Sequence, residues 1–178
     1  MPYGENFYWD SSVWLAWLRD EKRPGTDMEG VADCLERVRA NEVLIMTGDI
    51  MRLEVIKDRI PPDKMPTFEA FRRRRNVRIV NCLTDPRIAS LLADIKSFYR
   101  KLSAKDGKPE LTEFDATHLA TAIHYKATAF HTFDKGGKGG RGLLGLSGNV
   151  AGHPLVICKP PLAPNKQMVL DLTTPSDE

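Results

Sequence analysis

Thr112-Glu113-Phe114-Asp115-Ala116-Thr117-His118-Leu119-Ala120-Thr121-Ala122, followed after a short break by Thr128-Ala129-Phe130-His131-Thr132-Phe133-Asp134, decides the fold class of this chain. A threonine three residues before an acid is a helix-start pattern, because the hydroxyl accepts from the first turn and the acid answers across it. The helix opened at Thr112 is expected to run to about Lys126. Thr128 to Thr132 is short and apolar enough to be a strand, with Phe133 and Asp134 at its end. A helix feeding straight into such a strand is the unit from which parallel α/β sheets are built.

The unit recurs on either side. Phe7-Tyr8-Trp9 reads as a buried strand ending at Asp10, and Val13, Trp14, Leu15, Trp17 and Leu18 fit a helix capped by serine or aspartate. Met28, Val31, Leu35 and Val38 mark a helix over 28–40, and Val43 to Met46 a second strand. Thr47-Gly48 opens a helix through about Lys57, with Ile50, Leu53 and Ile56 on or near one face. Pro61, Pro62 and Pro66 break the chain; Thr67 is expected to cap a short helix through Arg72 to Arg75. Val77 to Val80 is a third strand, Pro86 to Lys101 a helix, Lys105 to Pro109 a loop, and Pro154 to Cys158 a last strand. The pattern predicts an α/β three-layer sandwich with a central, mostly parallel sheet, in one domain over residues 1–158. Residues 159–178, with Pro160, Pro161, Pro164 and Pro175, read as a proline-rich C-terminal arm or tail, with one extended piece at Gln167 to Leu172.

A chain of 178 residues suits a single core. Cys34, Cys82 and Cys158 are far apart and odd in number, which argues against both a disulfide framework and a structural zinc site. His118, His124, His131 and His153 form no zinc pattern. No apolar window is long enough to cross a bilayer and the N-terminus lacks the order of a secretion signal, so a cytoplasmic address without membrane partners is expected. Net charge is only +2 and says little about partners. The local segment Arg72, Arg73, Arg74, Arg75 and Arg78 says more: it is either a solvated surface run or a contact for a nucleic-acid backbone.

In a parallel sheet the strand carboxyl ends share one edge, and ligands bind outside it. Asp10 and Asp134 end predicted strands, Glu54 lies on the helix after the second strand, and Asp115 lies in the first turn of the helix that leads to Asp134. Each has a plain structural alternative: Asp10 as a helix cap, Glu54 as a surface acid near Lys57, Asp115 as half of a capping box with Thr112, Asp134 as a turn residue before Gly136-Gly137. Those alternatives do not explain why acids recur at strand ends. Carboxylates brought together repel one another unless a cation is present, and oxygen-only ligands suit Mg2+ or Mn2+ rather than zinc. Such an ion acts on phosphodiesters.

The segments Tyr8 to Val13, Thr47 to Val55 and Asp115 to Ala122, with Thr132-Phe133-Asp134-Lys135, resemble the ordered motifs of PIN-domain proteins, and VapC-type toxins most of all. The resemblance implies an Mg2+- or Mn2+-dependent ribonuclease whose acidic quartet is Asp10, Glu54, Asp115 and Asp134. It places Ser12 and Thr132 as supporting hydroxyls; on the nuclease reading the basic segment Arg72 to Arg75 and Arg78 would help hold the RNA backbone. It implies RNA as substrate, an antitoxin protein as a possible partner, and a homodimer. His118, one helical turn from Asp115, is expected to be a packing residue rather than a proton carrier. The glycine-rich stretch over 135–152, which reads as a mobile solvated loop with phosphate contacts by Lys138 and Arg141 as the alternative, and the proline-rich tail both depart from the family pattern. A non-catalytic PIN-fold module for RNA or protein is the alternative. An aspartyl phosphatase is disfavoured because Ser12 stands where its second aspartate belongs. A phosphate loop at Gly136 to Gly140 is set aside because no serine or threonine follows its lysine.

Overall fold

Successive side chains of a strand point to opposite faces of the sheet, so a strand covered on both faces is apolar throughout. The computed structural model describes residues 4–55, 59–137 and 139–163 and shows this alternation in two of its three inner strands. In β1 (Glu5–Trp9) and β2 (Val43–Gly48), Phe7, Trp9, Val43 and Ile45 enter one core, while Tyr8, Leu44 and Met46 enter the other. β3 (Val77–Val80), β4 (Ala129–His131) and β5 (Ile157–Cys158) complete a five-stranded sheet of order β3-β2-β1-β4-β5. Every pairing is parallel, with Tyr8 level with Met46 on one side and Phe130 on the other.

Helices α1 (Ser11–Leu18), α2 (Asp27–Arg39), α3 (Met51–Val55) and α4 (Met65–Arg72) pack on the first face through Trp14, Leu35, Met51, Val55, Phe68 and Phe71. α5 (Pro86–Asp106) and α6 (Glu113–His124) cover the second through Ile88, Ile95, Leu119 and Ala120. The expected three-layer α/β sandwich is therefore the observed one, and its sheet is parallel throughout. Among the described residues no helix is long and apolar enough to cross a membrane.

The boundaries depart from expectation where local chemistry overrides periodicity. α4 starts at Met65 with Pro66 in its first turn, because a proline lacks only an N–H that the first turn leaves unbonded; Thr67 is inside the helix and is not its cap. α5 runs past Lys101 to Asp106 and stops at Gly107, whose φ of +69° suits glycine. In α3, Met51 and Val55 are the buried positions, whereas Leu53 is 58% exposed. The expected end of that helix near Lys57, the extended piece at Gln167 to Leu172, and Lys138 lie outside the described residues. The first residues of the expected tail return over α2. Lys159 Nζ pairs with Asp27 at 2.6 Å, and the Ala163 N–H donates to Asp33 at 3.1 Å. A Cβ at Gly30 would meet the Pro160 carbonyl oxygen at 1.9 Å, so only glycine lets that backbone lie on the helix.

Candidate active site

Asp10 follows β1 directly and caps α1, so its carboxylate is held where the central strand meets a helix N-terminus. Its Oδ1 accepts from the Ser12 and Val13 N–H groups at 3.0 and 3.2 Å and from the Ser12 hydroxyl at 2.6 Å. Its Oδ2 accepts from the Thr132 hydroxyl at 2.5 Å. Both hydroxyls also tie down the end of β4: Ser12 Oγ accepts the Phe133 N–H at 2.9 Å, and Thr132 Oγ1 accepts the Asp134 N–H at 3.0 Å. Asp10 is 5% exposed. Burial pushes its carboxyl above the ordinary aspartate range, although the Ser12 and Thr132 hydroxyls and His118 pull the other way.

Glu54 enters from the β2 side. Its Oε2 accepts from the Ser11 hydroxyl and lies 2.6 Å from His118 Nε2. His118 Nδ1 lies 2.7 Å from the Tyr8 hydroxyl, which itself accepts the Gly48 N–H at 2.9 Å. A carboxylate oxygen can only accept, so the proton of the Glu54–His118 hydrogen bond sits on Nε2. A chain of hydrogen bonds thus runs from β2 through β1 and α6 to α3. Glu54 is partly buried, which raises its carboxyl, but the hydrogen bond and charge of His118 and the Ser11 hydroxyl outweigh this and hold it below the ordinary glutamate range.

Asp115 Oδ2 accepts from the Thr112 hydroxyl at 2.7 Å, and the Asp115 N–H returns to Thr112 at 3.1 Å, so the capping pair read in the sequence is present. Burial raises its carboxyl, and the negative charges of Asp134 and Glu54 raise it further. Asp134 accepts the Gly136 N–H on Oδ1 and the Leu143 N–H on Oδ2, both at 2.9 Å, and so closes the glycine-rich loop on itself. All four acids therefore sit at the carboxyl edge of the sheet, Asp10 and Asp134 after adjacent strands and Asp115 within electrostatic reach of Asp134 and Glu54.

The donor set fits a hard divalent cation. Its ligands would be carboxylate oxygens alone, and two of the acids are held in a state that a nearby positive charge would relieve. Asp115 Oδ1 and Glu54 Oε1 have no hydrogen bond among the described residues. Among those residues, however, no three acidic, histidine or cysteine side chains stand close enough to enclose an ion as they are placed.

A family model for the PIN domain matches residues 7–138, a span that encloses all four acids, Ser12 and Thr132. The chain belongs to the PIN domain family. Three solved structures are similar to this PIN domain. FitAcB from Neisseria gonorrhoeae is 18% identical, covers 86% of this chain and 97% of its own, and superposes with a TM-score of 0.52. VapBC2 from Rickettsia felis, bound to a DNA fragment from its promoter, is 14% identical over 71% of this chain and 86% of its own, with a TM-score of 0.49. VapC20 from Mycobacterium tuberculosis, described as a sarcin-ricin loop cleaving toxin, is 15% identical over 72% of this chain and 90% of its own, with a TM-score of 0.47. No curated protein matches the chain.

Most of the arginine-rich segment of this PIN domain lies away from the acids. Arg74 donates to the Arg39 carbonyl and Arg75 to Asn41, both in the turn that enters β2, and Asn76 donates to the Val38 and Val43 carbonyls. Arg73, the C-cap of α4, stands beside them. These residues occupy the amino edge of the sheet, a full strand length of about 20 Å from the acids. The reason is topological: α4 runs antiparallel to the strand it precedes, so its C-terminus lies at the far edge. Arg78 is exposed at mid-strand on β3. Arg72 alone reaches back, pairing with Glu69 and lining a cleft with Asp49, Arg52, Ile79 and Asn81.

Three polar participants carried no signal of their own in the sequence. Tyr8 looked like one more aromatic in a buried strand, yet its hydroxyl orients His118. Ser11 looked like a helix-start residue, yet it binds Glu54. His118 is buried, as a packing residue should be, and is also the hydrogen-bond partner of Glu54. Only the three-residue spacing of Asp115 and His118 on one helix face could have pointed to it.

Proposed function

We propose that this PIN domain is a ribonuclease that cuts RNA phosphodiesters with the help of Mg2+ or Mn2+. The observation that carries the reading is that Asp115 lies within electrostatic reach of Glu54 and Asp134 at the sheet edge where Asp10 is held by four hydrogen bonds. These four acids would hold the ion, which when bound supplies Lewis-acid chemistry: it lowers the pKa of water and neutralises charge building on the phosphate.

The chain's own residues fix the geometry. Ser12, Thr132 and the first-turn amides hold the Asp10 carboxylate in one orientation, so little reorganisation is needed when substrate arrives. Among the described residues, His118 engages one oxygen of Glu54 and leaves Oε1 without a hydrogen bond, and Thr112 does the same for Asp115 and its Oδ1. Asp134 contributes its charge while anchoring the loop that walls the site. RNA as substrate, a restraining antitoxin and pairing of two copies belong to the same proposal and rest on the sequence resemblance.

The test is incubation of total RNA with the protein plus Mg2+ or Mn2+, with the cleaved ends mapped. Wild type should cut and Asp10→Asn should not, while the circular dichroism spectra of the two coincide. Full metal-dependent cleavage by Asp10→Asn would remove the assigned role; metal binding without cleavage by wild type would favour the non-catalytic module.

A further inference from the structure

The glycine-rich stretch has more structure than a solvated loop needs. Asp134 binds both its ends, and Gly142 crosses Lys135 so closely that a Cβ there would meet the Lys135 carbonyl carbon at 2.0 Å. Gly136 has a φ of +77° and lies against Gly140 and Gly142, so the neck of the loop is built from glycine backbone. Beside this neck is a cleft of about 270 Å³ lined by Lys108, Lys135, Gly140, Arg141 and Gly142, among others, with no acid in its wall. Arg141 is committed to the scaffold: it binds Asp106 with two contacts of 2.6 and 2.8 Å and donates to the Pro109 carbonyl. Lys108 and Lys135 are exposed; the charge of Lys108 acts on Asp106, whose carboxylate is engaged by Arg141, and neither ammonium has a hydrogen-bonded or ion-paired partner among the described residues. Lys135 directly follows Asp134, so the cleft flanks the acidic centre on the β4 side.

The cleft on the opposite flank is larger, at about 420 Å³, but its Arg52 and Arg72 are offset by Asp49 in its wall and by Glu69 paired to Arg72. The electrostatic balance therefore favours the glycine-rich side. Two unpaired ammoniums on opposite elements, with open glycine backbone between them, suit the compact charge of a phosphodiester. We infer that this cleft is a phosphate-binding subsite, in which Lys108 and Lys135 hold the backbone of a single-stranded nucleic acid next to the acidic centre. The inference rests on the nuclease reading for the identity of the strand, and it gives the loop a function: to fix the direction in which the strand leaves the acids.

The experiment measures binding of a short, fluorescein-labelled, single-stranded 2′-O-methyl RNA to the full chain in EDTA, where it cannot be cut, across a salt series. Each phosphate contact contributes about 0.7 to the slope of log affinity against log salt for a single strand. Lys108→Ala with Lys135→Ala should flatten that slope by about 1.4, which between a ~1 M reference and ~0.15 M salt is roughly tenfold in affinity. Lys108→Arg with Lys135→Arg should restore it. Both positions are exposed, so the fold should be unaffected; circular dichroism checks this. An unchanged slope and affinity in the double alanine variant would overturn the subsite, as would a wild type that does not bind the oligonucleotide. Cleavage of RNA with Mn2+ is run in parallel. Wild-type cleavage with an unchanged slope in the variant defeats the subsite and leaves the nuclease. A flattened slope with no cleavage in any metal defeats the nuclease and supports the subsite.

Discussion

Replacing Tyr8 with phenylalanine removes one oxygen from the core and leaves two buried partners without a hydrogen bond. The Gly48 N–H, now bonded at 2.9 Å, loses its acceptor, and His118 Nδ1, now at 2.7 Å, loses its hydrogen-bond partner. The ring itself stays, stacked on Phe130 at a centroid separation of 5.2 Å, so packing is nearly unchanged. Each buried group left unsatisfied costs about 1–3 kcal/mol. Because both belong to one network their costs do not add fully, and the low end of the sum, about 2–3 kcal/mol, is expected. Against a total stability of about 5–15 kcal/mol this is large, whereas a surface tyrosine-to-phenylalanine change stays within about 0.5 kcal/mol. Urea unfolding should show the midpoint falling by roughly 1 M with an unchanged slope. A His118→Leu background sharpens the test: only the Gly48 N–H is then orphaned by Tyr8→Phe, and the cost should fall by about half. A loss below ~0.5 kcal/mol in the wild-type background, or an undiminished loss beside His118→Leu, would refute the hydrogen-bond chain from Gly48 to Glu54.

Asp10 and Asp115 are raised acids, so the stability they contribute is present below their unfolded values near ~4 and is lost as pH rises through the folded values. Metal-free wild type should therefore lose more stability than Asp10→Asn between about pH 4 and 7 in urea midpoints, and parallel profiles would count against the burial of that charge. Gly142→Ala should open the neck of the glycine-rich loop and speed tryptic cleavage there, because its Cβ would meet backbone at 2.0 Å; Gly145→Ala, with nothing within 4 Å, is the silent control. Arg73→Ala with Arg75→Ala should leave oligonucleotide affinity unchanged, since these residues stand at the amino edge, and a loss of salt dependence in that variant would restore the expectation made from sequence. Cys34 and Cys82, whose thiols burial pushes up to about 12 and about 11, should react with a thiol reagent at neutral pH only after unfolding, and prompt labelling of the native protein would contradict this.

The layered parallel fold was legible because its signals are local and repeated. Apolar runs such as Val43 to Met46 are too short for buried helices and fit strands covered on both faces, and each is followed by a turn and a helical stripe. The acids were legible as a set because strand ends in such a sheet share an edge. The placement of the arginines was not: a run of like charges carries no information about which edge a helix ends on, and that depends on the direction of α4 between β2 and β3. Ser11 and Tyr8 were hidden for a different reason. Their partners are 43 and 110 residues away, and a hydroxyl in a helix start or an aromatic strand has an ordinary role that explains it without them.

The adjacent serines show why the site needs the fold to work. Consecutive residues of a helix diverge by about 100° around its axis. α1 starts at the end of the central strand, with β2 and β4 on either side. Its first two side chains therefore turn toward different neighbours. Ser12 reaches the β4 side, where it binds Asp10 and the Phe133 N–H; Ser11 reaches the β2 side, where it binds Glu54 and lies 3.3 Å from His118 Nε2. One helix start thus fixes an acid from its own strand and another from the next crossover. A single inserted residue between Asp10 and Ser12 would rotate both hydroxyls away together, whereas loss of either serine alone leaves the other acid held.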